Sequence, residues 1–315
     1  MIKRYKVAFI GGGYMATEHL KAFKSIPGVQ LAGIYDLIRS QSESVALEYG
    51  ITKVCDSIEE LYLSTRADLV VIAVSELSTC EVVLKVFEFP WICLIEKPVG
   101  YNFEDAQQIA IERKARNRDA YIALNRRHYS STRHVVEALE KHEGKRLVHV
   151  YDQENPRVGL AGGKPSLVVD HWMYANSIHV IDYFNILCRG DLVSVENIIK
   201  WEPGIPCFVL SKLSYTSGDI GIYEAIWEGP GPWAVTVTTH SRRWELRPLE
   251  QAFTQKYKSR KNEPVQVHPW DIQFKPGLRL QAEEALKAVR GEPNKLPKLE
   301  DGLRGMNLIK QIYGI

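Results

Sequence analysis

Three groups of residues in this chain have the types and spacing to do chemistry: glycines in a turn, a lysine behind a carboxylate, and a histidine on a helix. In "LIEKPVG" (94–100) an apolar run, Trp91-Ile92-Cys93-Leu94-Ile95, reads as a buried strand, so Glu96 and Lys97 stand at its carboxyl end with Pro98 behind them. The glycines of "FIGGGYMATEHL" fit G-x-G-x-x-A as Gly11, Gly13 and Ala16, after a β-type run and before a helical stretch. Gly11 permits a tight turn, Gly13 lets the backbone approach a pyrophosphate, and Ala16 lets the helix pack close to the strand. The helix N-terminus then faces the phosphates. Gly11, Gly13, Tyr14 and Met15 are the candidate contacts of that turn. The next strand, "VQLAGIYD", ends at Asp36, where a carboxylate accepts hydrogen bonds from an adenosine ribose. Asp36 favours NAD, because a carboxylate repels a 2′-phosphate, while Arg39 just beyond it leaves NADP open. The plainer alternative is a glycine turn in some other βαβ unit, with Asp36 a solvated strand-end residue.

The histidine lies in "DHWMYANSIHVIDYFNILCRG" (170–190), which is helical in spacing. Ile178, Ile181, Phe184 and Leu187 can face a core, and Asn176, His179 and Asp182 follow at i, i+3 on another face. An imidazole, with an unperturbed pKa near 6.5, suits taking a proton from an alcohol near neutral pH. Spacing alone equally describes a structural histidine on a half-buried helix.

The elements that must hold these residues alternate strand and helix. After Asp36 come "ADLVVIAV" (67–74), a helix over 79–87, "WICLIEKP", a helix over 103–116, and "AYIALN" (120–125). That order describes a doubly wound parallel sheet, whose ligands bind beyond the carboxyl ends of the strands. From residue 147 to about 247 the pattern changes to β-type runs with alternating polarity, as in a sheet with one wet face. "HYSSTRHVVEAL" (128–139) reads as a helix capped by Ser or Thr. "RVGLAGGKPS" (157–166) reads as a loop, and 260–278 as an irregular connection.

Composition excludes several classes. The 315 residues exceed what one core usually holds. A net charge of +2, spread along the chain, gives no case for nucleic acid or a membrane surface. No apolar stretch is long enough to span a bilayer, and the apolar part of "MIKRYKVAFIGGG" is too short for a signal peptide. The five cysteines, Cys55, Cys80, Cys93, Cys188 and Cys207, show no CxxC and no Cys/His cluster. No metal site is expected, and a reducing cytoplasm is the expected home.

With these residues in view, the chain resembles the Gfo/Idh/MocA oxidoreductases, relatives of glucose–fructose oxidoreductase and inositol dehydrogenase. The resemblance covers nearly the whole chain. It rests on the Gly11–Ala16 turn, Glu96-Lys97-Pro98, "NRR" (125–127), "SIHVID" (177–182) and "LEDGLRGMNLIKQIYG" (299–314). It implies a cis proline at Pro98 and a catalytic Lys97 that contacts the reacting hydroxyl and shares in proton transfer. His179, matched to the family's His-x-x-Asp helix, becomes the second catalytic residue, with Asp182 structural. The family's aspartate one turn before the histidine is Ala175 here. Asn176 is favoured as the polar replacement, with Tyr174 and Asp170 also near in sequence. The family's Thr-Pro…His after the fourth strand is replaced by Val74-Ser75…Thr79, which leaves Ser75 as the nicotinamide-side candidate. Glu96 and Lys97 complete the cofactor set. Lys97, Arg127, Asn176 and His179 form the substrate set, with Arg127 either an anion contact or part of a salt-bridged linker.

The expected fold is α/β: an N-terminal Rossmann domain (1–123) and a C-terminal α+β domain (124–315) with an open, mostly antiparallel sheet. The last helices have the option of packing back on the first domain. The expected activity is NAD(P)-dependent hydride transfer to or from a ring carbon of a sugar, nucleotide sugar or cyclic polyol. The expected assembly is a homodimer or homotetramer. A silent dinucleotide- or sugar-binding sensor of the same fold is the alternative, motivated by Ala175.

Overall fold

The computed structural model describes residues 4–204 and 207–315. Two compact units divide the chain. One holds the residues up to Asn125 together with Ile272–Leu303; the other holds Arg126–Asp271 and Arg304–Ile315. In this division the first stretch ends at Asn125, and Ile272–Leu303 groups with it.

The first unit alternates β1 (Tyr5–Ile10), α1 (Tyr14–Lys24), β2 (Val29–Tyr35), α2 (Arg39–Tyr49), β3 (Val54–Cys55), α3 (Ile58–Thr65), β4 (Leu69–Ile72), α4 (Thr79–Val86), β5 (Ile92–Glu96), α5 (Phe103–Ala115) and β6 (Ala120–Ala123). The strands form one sheet in the order β3-β2-β1-β4-β5-β6, and every pair is parallel. That is the doubly wound order, with its switch point between β1 and β4. Residues Leu69–Ile72 and Cys93–Glu96 are all buried, as strands covered on both faces must be.

The second unit begins with α6 (Ser130–Leu139), β7 (Leu147–Glu154), α7 (Pro156–Ala161) and α8 (Ser166–Asp170). A single π turn (Met173–Ser177) leads into α9 (Ile178–Leu187). Then come β8 (Leu192–Ile199), β9 (Cys207–Tyr215), β10 (Ile220–Trp227), β11 (Ala234–Thr238), β12 (Arg242–Leu246), β13 (Ala252–Lys256) and β14 (Glu263–Pro264). Their sheet runs β14-β13-β12-β11-β7-β10-β9-β8; β7 and β10 are parallel and the other pairs antiparallel. Three helices close the chain: α10 (Trp270–Gln273), α11 (Leu278–Val289) and α12 (Leu299–Tyr313). Helix α11 belongs to the first core because Leu278, Ala282, Ala285 and Leu286 form one helical stripe, buried with Phe9, Leu20, Phe23 and Ile34.

Four local expectations are corrected. Residues 157–166 are not a plain loop: Asn155 Oδ1 accepts from Val158 N, and Pro156 opens α7. The stretch 260–278 contains β14, paired with β13, and then α10. Helix α6 has no Ser or Thr cap; its Ser130 N–H donates to Asp271 Oδ2 at 2.6 Å instead. The 170–190 segment is not one α-helix, since the π turn interrupts it just before His179.

Asp219, fully buried, ties the start of β10 to the flanks of β7 and α9. Its Oδ1 accepts from Arg146 N at 2.9 Å, and its Oδ2 from Arg189 N and Nε at 2.9 and 3.0 Å. Burial alone would raise its carboxyl, but the Arg189 guanidinium and the two backbone N–H groups outweigh it and hold it below the ordinary 3.8. Its stabilisation is therefore complete above pH 3.8 and is lost as pH falls through the lower folded value. Asp219→Ala should cost about 3 kcal/mol in urea unfolding at neutral pH, and most of that difference should vanish in acid.

Candidate functional site

In the first unit the cofactor candidates gather at the carboxyl ends of β1, β2 and β5. Gly11 has φ +98°, and its N–H donates to Tyr35 O at 2.8 Å. A Cβ there would lie 2.2 Å from Ala73 O, so glycine is required. Gly13 caps α1 with no side-chain hydrogen bond, and the first turn carries no acid. A Cβ on Gly13 would meet only Gln41 Nε2, at 3.9 Å. The Asp36 carboxylate is fixed from two sides: Gly12 N donates to Oδ2 and Ile38 N to Oδ1, both at 2.7 Å. Each oxygen keeps a lone pair for a ribose hydroxyl. Arg39 is engaged by Glu43 (Nε to Oε1, 2.8 Å) and by Asp56. Tyr14 is exposed with Lys275 Nζ over its ring, whereas Met15 packs against the core. Ser75 lies exposed beyond β4, its Oγ 2.8 Å from Ser78 Oγ.

Glu96 ends β5 and Lys97 follows, with the Lys97–Pro98 peptide cis. The two charged neighbours differ in role. Glu96 is buried and its Oε1 lies 2.7 Å from Nε2 of the fully buried His19. This contact ties α1 to the end of β5, so Glu96 braces the scaffold, while Lys97 is half-buried just outside the strand.

In the second unit Arg127 forms a fork on Asp182, with Nε to Oδ2 and a terminal nitrogen to Oδ1 both at 2.7 Å. This fork joins Arg127 to a carboxylate of its own unit. Asn176 Nδ2 donates to Glu154 Oε2 at 2.7 Å. Tyr174 is buried and Asp170 exposed at the end of α8. Ala175, 7% exposed, lies in the π turn, and π turns occur often at functional sites. His179 opens the first turn of α9, its ring 6.1 Å from that of Trp233. Arg126 sits over the same indole, 4.9 Å from its centroid, and Trp233 Nε1 donates to Gln153 O at 3.0 Å.

The first unit fits a dinucleotide. An uncapped helix N-terminus points unpaired N–H groups and a partial positive charge at an open approach over Gly13, and Asp36 stands on the neighbouring strand. Residues 5–123 match the family model described as "Oxidoreductase family, NAD-binding Rossmann fold" (GFO_IDH_MocA). That segment carries the NAD-binding fold of the Gfo/Idh/MocA oxidoreductases.

Relatives extend the likeness beyond that segment. The 4-carboxy-2-hydroxymuconate-6-semialdehyde dehydrogenase of Sphingobium sp. is 23% identical over 299 residues, 92% of each chain. A dehydrogenase from Chromobacterium violaceum superposes with a TM-score of 0.84 at 18% identity, covering 100% of this chain and 95% of that one. A UDP-N-acetylglucosamine 3-dehydrogenase from Acidithiobacillus ferrooxidans does so with 0.80 at 18% identity, covering 99% and 97%. The chain thus joins a segment that matches this family's NAD-binding domain, built on a parallel Rossmann sheet, to a separate mixed sheet.

Sequence reasoning missed His19, Glu154 and Trp233. A buried histidine on α1 was visible only as one apolar-face residue. Glu154 sat at the end of a strand whose alternation placed it inward, which was a usable signal: a carboxylate on the apolar parity of a strand must find donors.

The two glycines should separate cleanly on substitution. Gly11→Ala should destabilise the first unit, read by thermal unfolding. Gly13→Ala should change stability by no more than about 1 kcal/mol, yet weaken NAD binding at least about tenfold by fluorescence titration, because its methyl stands where a phosphate approaches.

Proposed function

We propose that this protein is an NAD-dependent dehydrogenase or ketoreductase acting on a ring carbon of a sugar, nucleotide sugar or cyclic polyol. The observation that carries the reading is Lys97 at the carboxyl end of β5, in the same parallel sheet that presents the Gly11–Gly13 turn and Asp36. NAD is favoured over NADP because Asp36 faces the ribose position, and because a 2′-phosphate would have to displace Glu43 and Asp56 from Arg39.

When bound, the nicotinamide supplies or accepts the hydride. The Lys97 ammonium donates a hydrogen bond to the reacting oxygen and stabilises charge that develops there. His179 takes the alcohol proton in oxidation and returns it in reduction. Asn176, its amide nitrogen on Glu154, keeps Oδ1 to accept from a substrate hydroxyl. Arg127 acts through α9, which it anchors at Asp182. The protein works in the cytoplasm, where its five free cysteines stay reduced. It self-associates through the outer face of the second sheet, where Phe208 is 61% exposed and Ile220 38%.

The test is identification of the nucleotide released on denaturation, followed by turnover on UDP-sugars, cyclic polyols and 4-carboxy-2-hydroxymuconate-6-semialdehyde. Turnover of a sugar or polyol with NAD is expected. Lys97→Ala should lower kcat by about 10²–10⁴ with NAD binding retained, and His179→Ala should lower it about 10²-fold and remove a limb of the pH profile. Tight NAD binding with no turnover across the panel would instead support a sensor, and a fully active Lys97→Ala would remove the lysine's role.

A further inference from the structure

Two acids meet on the buried face of β7. Asp152 is 1% exposed and Glu154 0%, two residues apart on one side of the strand. A chain of hydroxyls joins them. Tyr223 OH on β10 donates to Asp152 Oδ2 at 2.7 Å and lies 2.7 Å from Tyr313 OH on α12. Tyr313 OH lies 3.3 Å from Ser177 Oγ, and Ser177 Oγ donates to Glu154 Oε1 at 3.1 Å. The two carboxyl groups stand at the ends of this chain of hydroxyls, side by side on the same buried face of β7. Glu154 Oε2 accepts from Trp172 Nε1 at 2.6 Å and Asn176 Nδ2 at 2.7 Å.

Counting protons shows what is missing. Four contacts link the two acids through three hydroxyls, which bring only three protons. If both acids were ionised, two carboxylates would stand side by side with no proton between them. Asp152 Oδ1 is indeed buried with no donor among the described residues. One added carboxyl proton gives that oxygen a partner. The contact then left without a proton is the longest, Ser177 to Tyr313.

We propose that Asp152 and Glu154 share a single proton, and that the pair is a positioning device for the π turn from which α9 and His179 follow. The role of His179 rests on the functional reading above; the shared proton does not.

Burial raises both carboxyls, and the charge of Asp152 pushes Glu154 well above its ordinary 4.5. Hydrogen bonds from Tyr223 and Ser177 to Asp152, and from Asn176 and Trp172 to Glu154, favour the charged forms, but burial outweighs them. β10 brings Tyr223 and α12 brings Tyr313, both themselves raised by burial. The turn brings Trp172, Asn176 and Ser177. β11 opposes β7 with Ala234 and Val235. On α9, Asp182 is paired with Arg127, and His179 faces Trp233. Among the described residues no lysine, arginine or histidine is hydrogen-bonded to either acid.

The proton has a pH signature. Above 4.5 the unfolded chain releases it while the folded chain keeps it, so stability falls as pH rises from 4.5 towards the higher folded value. Glu154→Gln imitates the protonated acid: its amide donates to Asp152 and its carbonyl accepts from Trp172 and Asn176.

The experiment uses the full chain without nucleotide or substrate, so its outcome is separate from that of the turnover assays. Infrared difference spectra at neutral pH should show a protonated-carboxyl band in the wild type that both Glu154→Gln and Asp152→Asn lack. Glu154→Gln should keep Tm within about 3 °C at neutral pH, whereas Glu154→Ala should lose about 10 °C. The wild-type Tm should fall relative to Glu154→Gln as pH rises from acid to neutral. By hydrogen exchange, the 173–177 amides should keep their protection in Glu154→Gln and lose at least about tenfold in Glu154→Ala. Should Glu154→Ala fail to fold, the comparison of wild type with Glu154→Gln decides. A wild type without the band, or a Glu154→Gln with Tm and turn protection as low as Glu154→Ala, would overturn the proposal.

Discussion

A carboxylate taken out of water must be given donors or a proton, and within each unit the candidate residues are held in place by that requirement. Asp36 is held by the N–H groups of Gly12 and Ile38, Glu96 by His19, Asp182 by Arg127, and Glu154 by Trp172, Asn176 and Ser177. Each contact joins a strand end, turn or helix that bears a candidate residue to another element. Leaving the buried acids Glu96, Asp182 or Glu154 unmet would cost several kcal/mol, so each is a strong constraint on where its segment lies. The parallel sheet supplies direction, bringing its ligand-facing ends to one side. The acids supply registration.

The same constraint sorts the charged residues by use. Glu96 and Lys97 are adjacent in sequence but face different tasks. The acid lies buried and pairs with His19 on α1, while the lysine stands half-buried just outside the strand. Arg39 and Arg127 invite assignment as anion contacts, yet each is already forked or paired on carboxylates of its own unit. A guanidinium so placed orients protein before it orients ligand. On the proposed reading, a dinucleotide is met by the backbone N–H groups over Gly13 and by the outward lone pairs of the Asp36 side chain.

The sequence made the first unit readable because its signals are local. A glycine with positive φ, an acid at the next strand's end and apolar runs of strand length all lie within short windows. The two-residue β3 was too brief to show period, and β14 carries a proline that hides it. The second unit was harder. Its strands were legible from alternation, but the π turn was not, since Asn176, His179 and Asp182 keep helical spacing across it. The donors that met Glu154 come from residues 172 to 177, about twenty positions away, and no pattern within β7 announces them. Asn176 was singled out for its polarity, yet its closest partner is a strand carboxyl that only the fold brings near.

That partner bears on Ala175. An aspartate one turn before the histidine would orient its helix from within the helix. Here the turn is gripped from the strand, by Glu154 on three side chains of the 172–177 segment. A polar network of this kind must be fully satisfied to be worth keeping, because a half-satisfied one is less stable than an apolar core of the same shape. An apolar replacement of Glu154 would fill the space and still leave the Trp172 indole and the Asn176 amide without acceptors. The acid therefore both meets donors that no apolar residue could meet and fixes the turn from which α9, the helix of His179, follows.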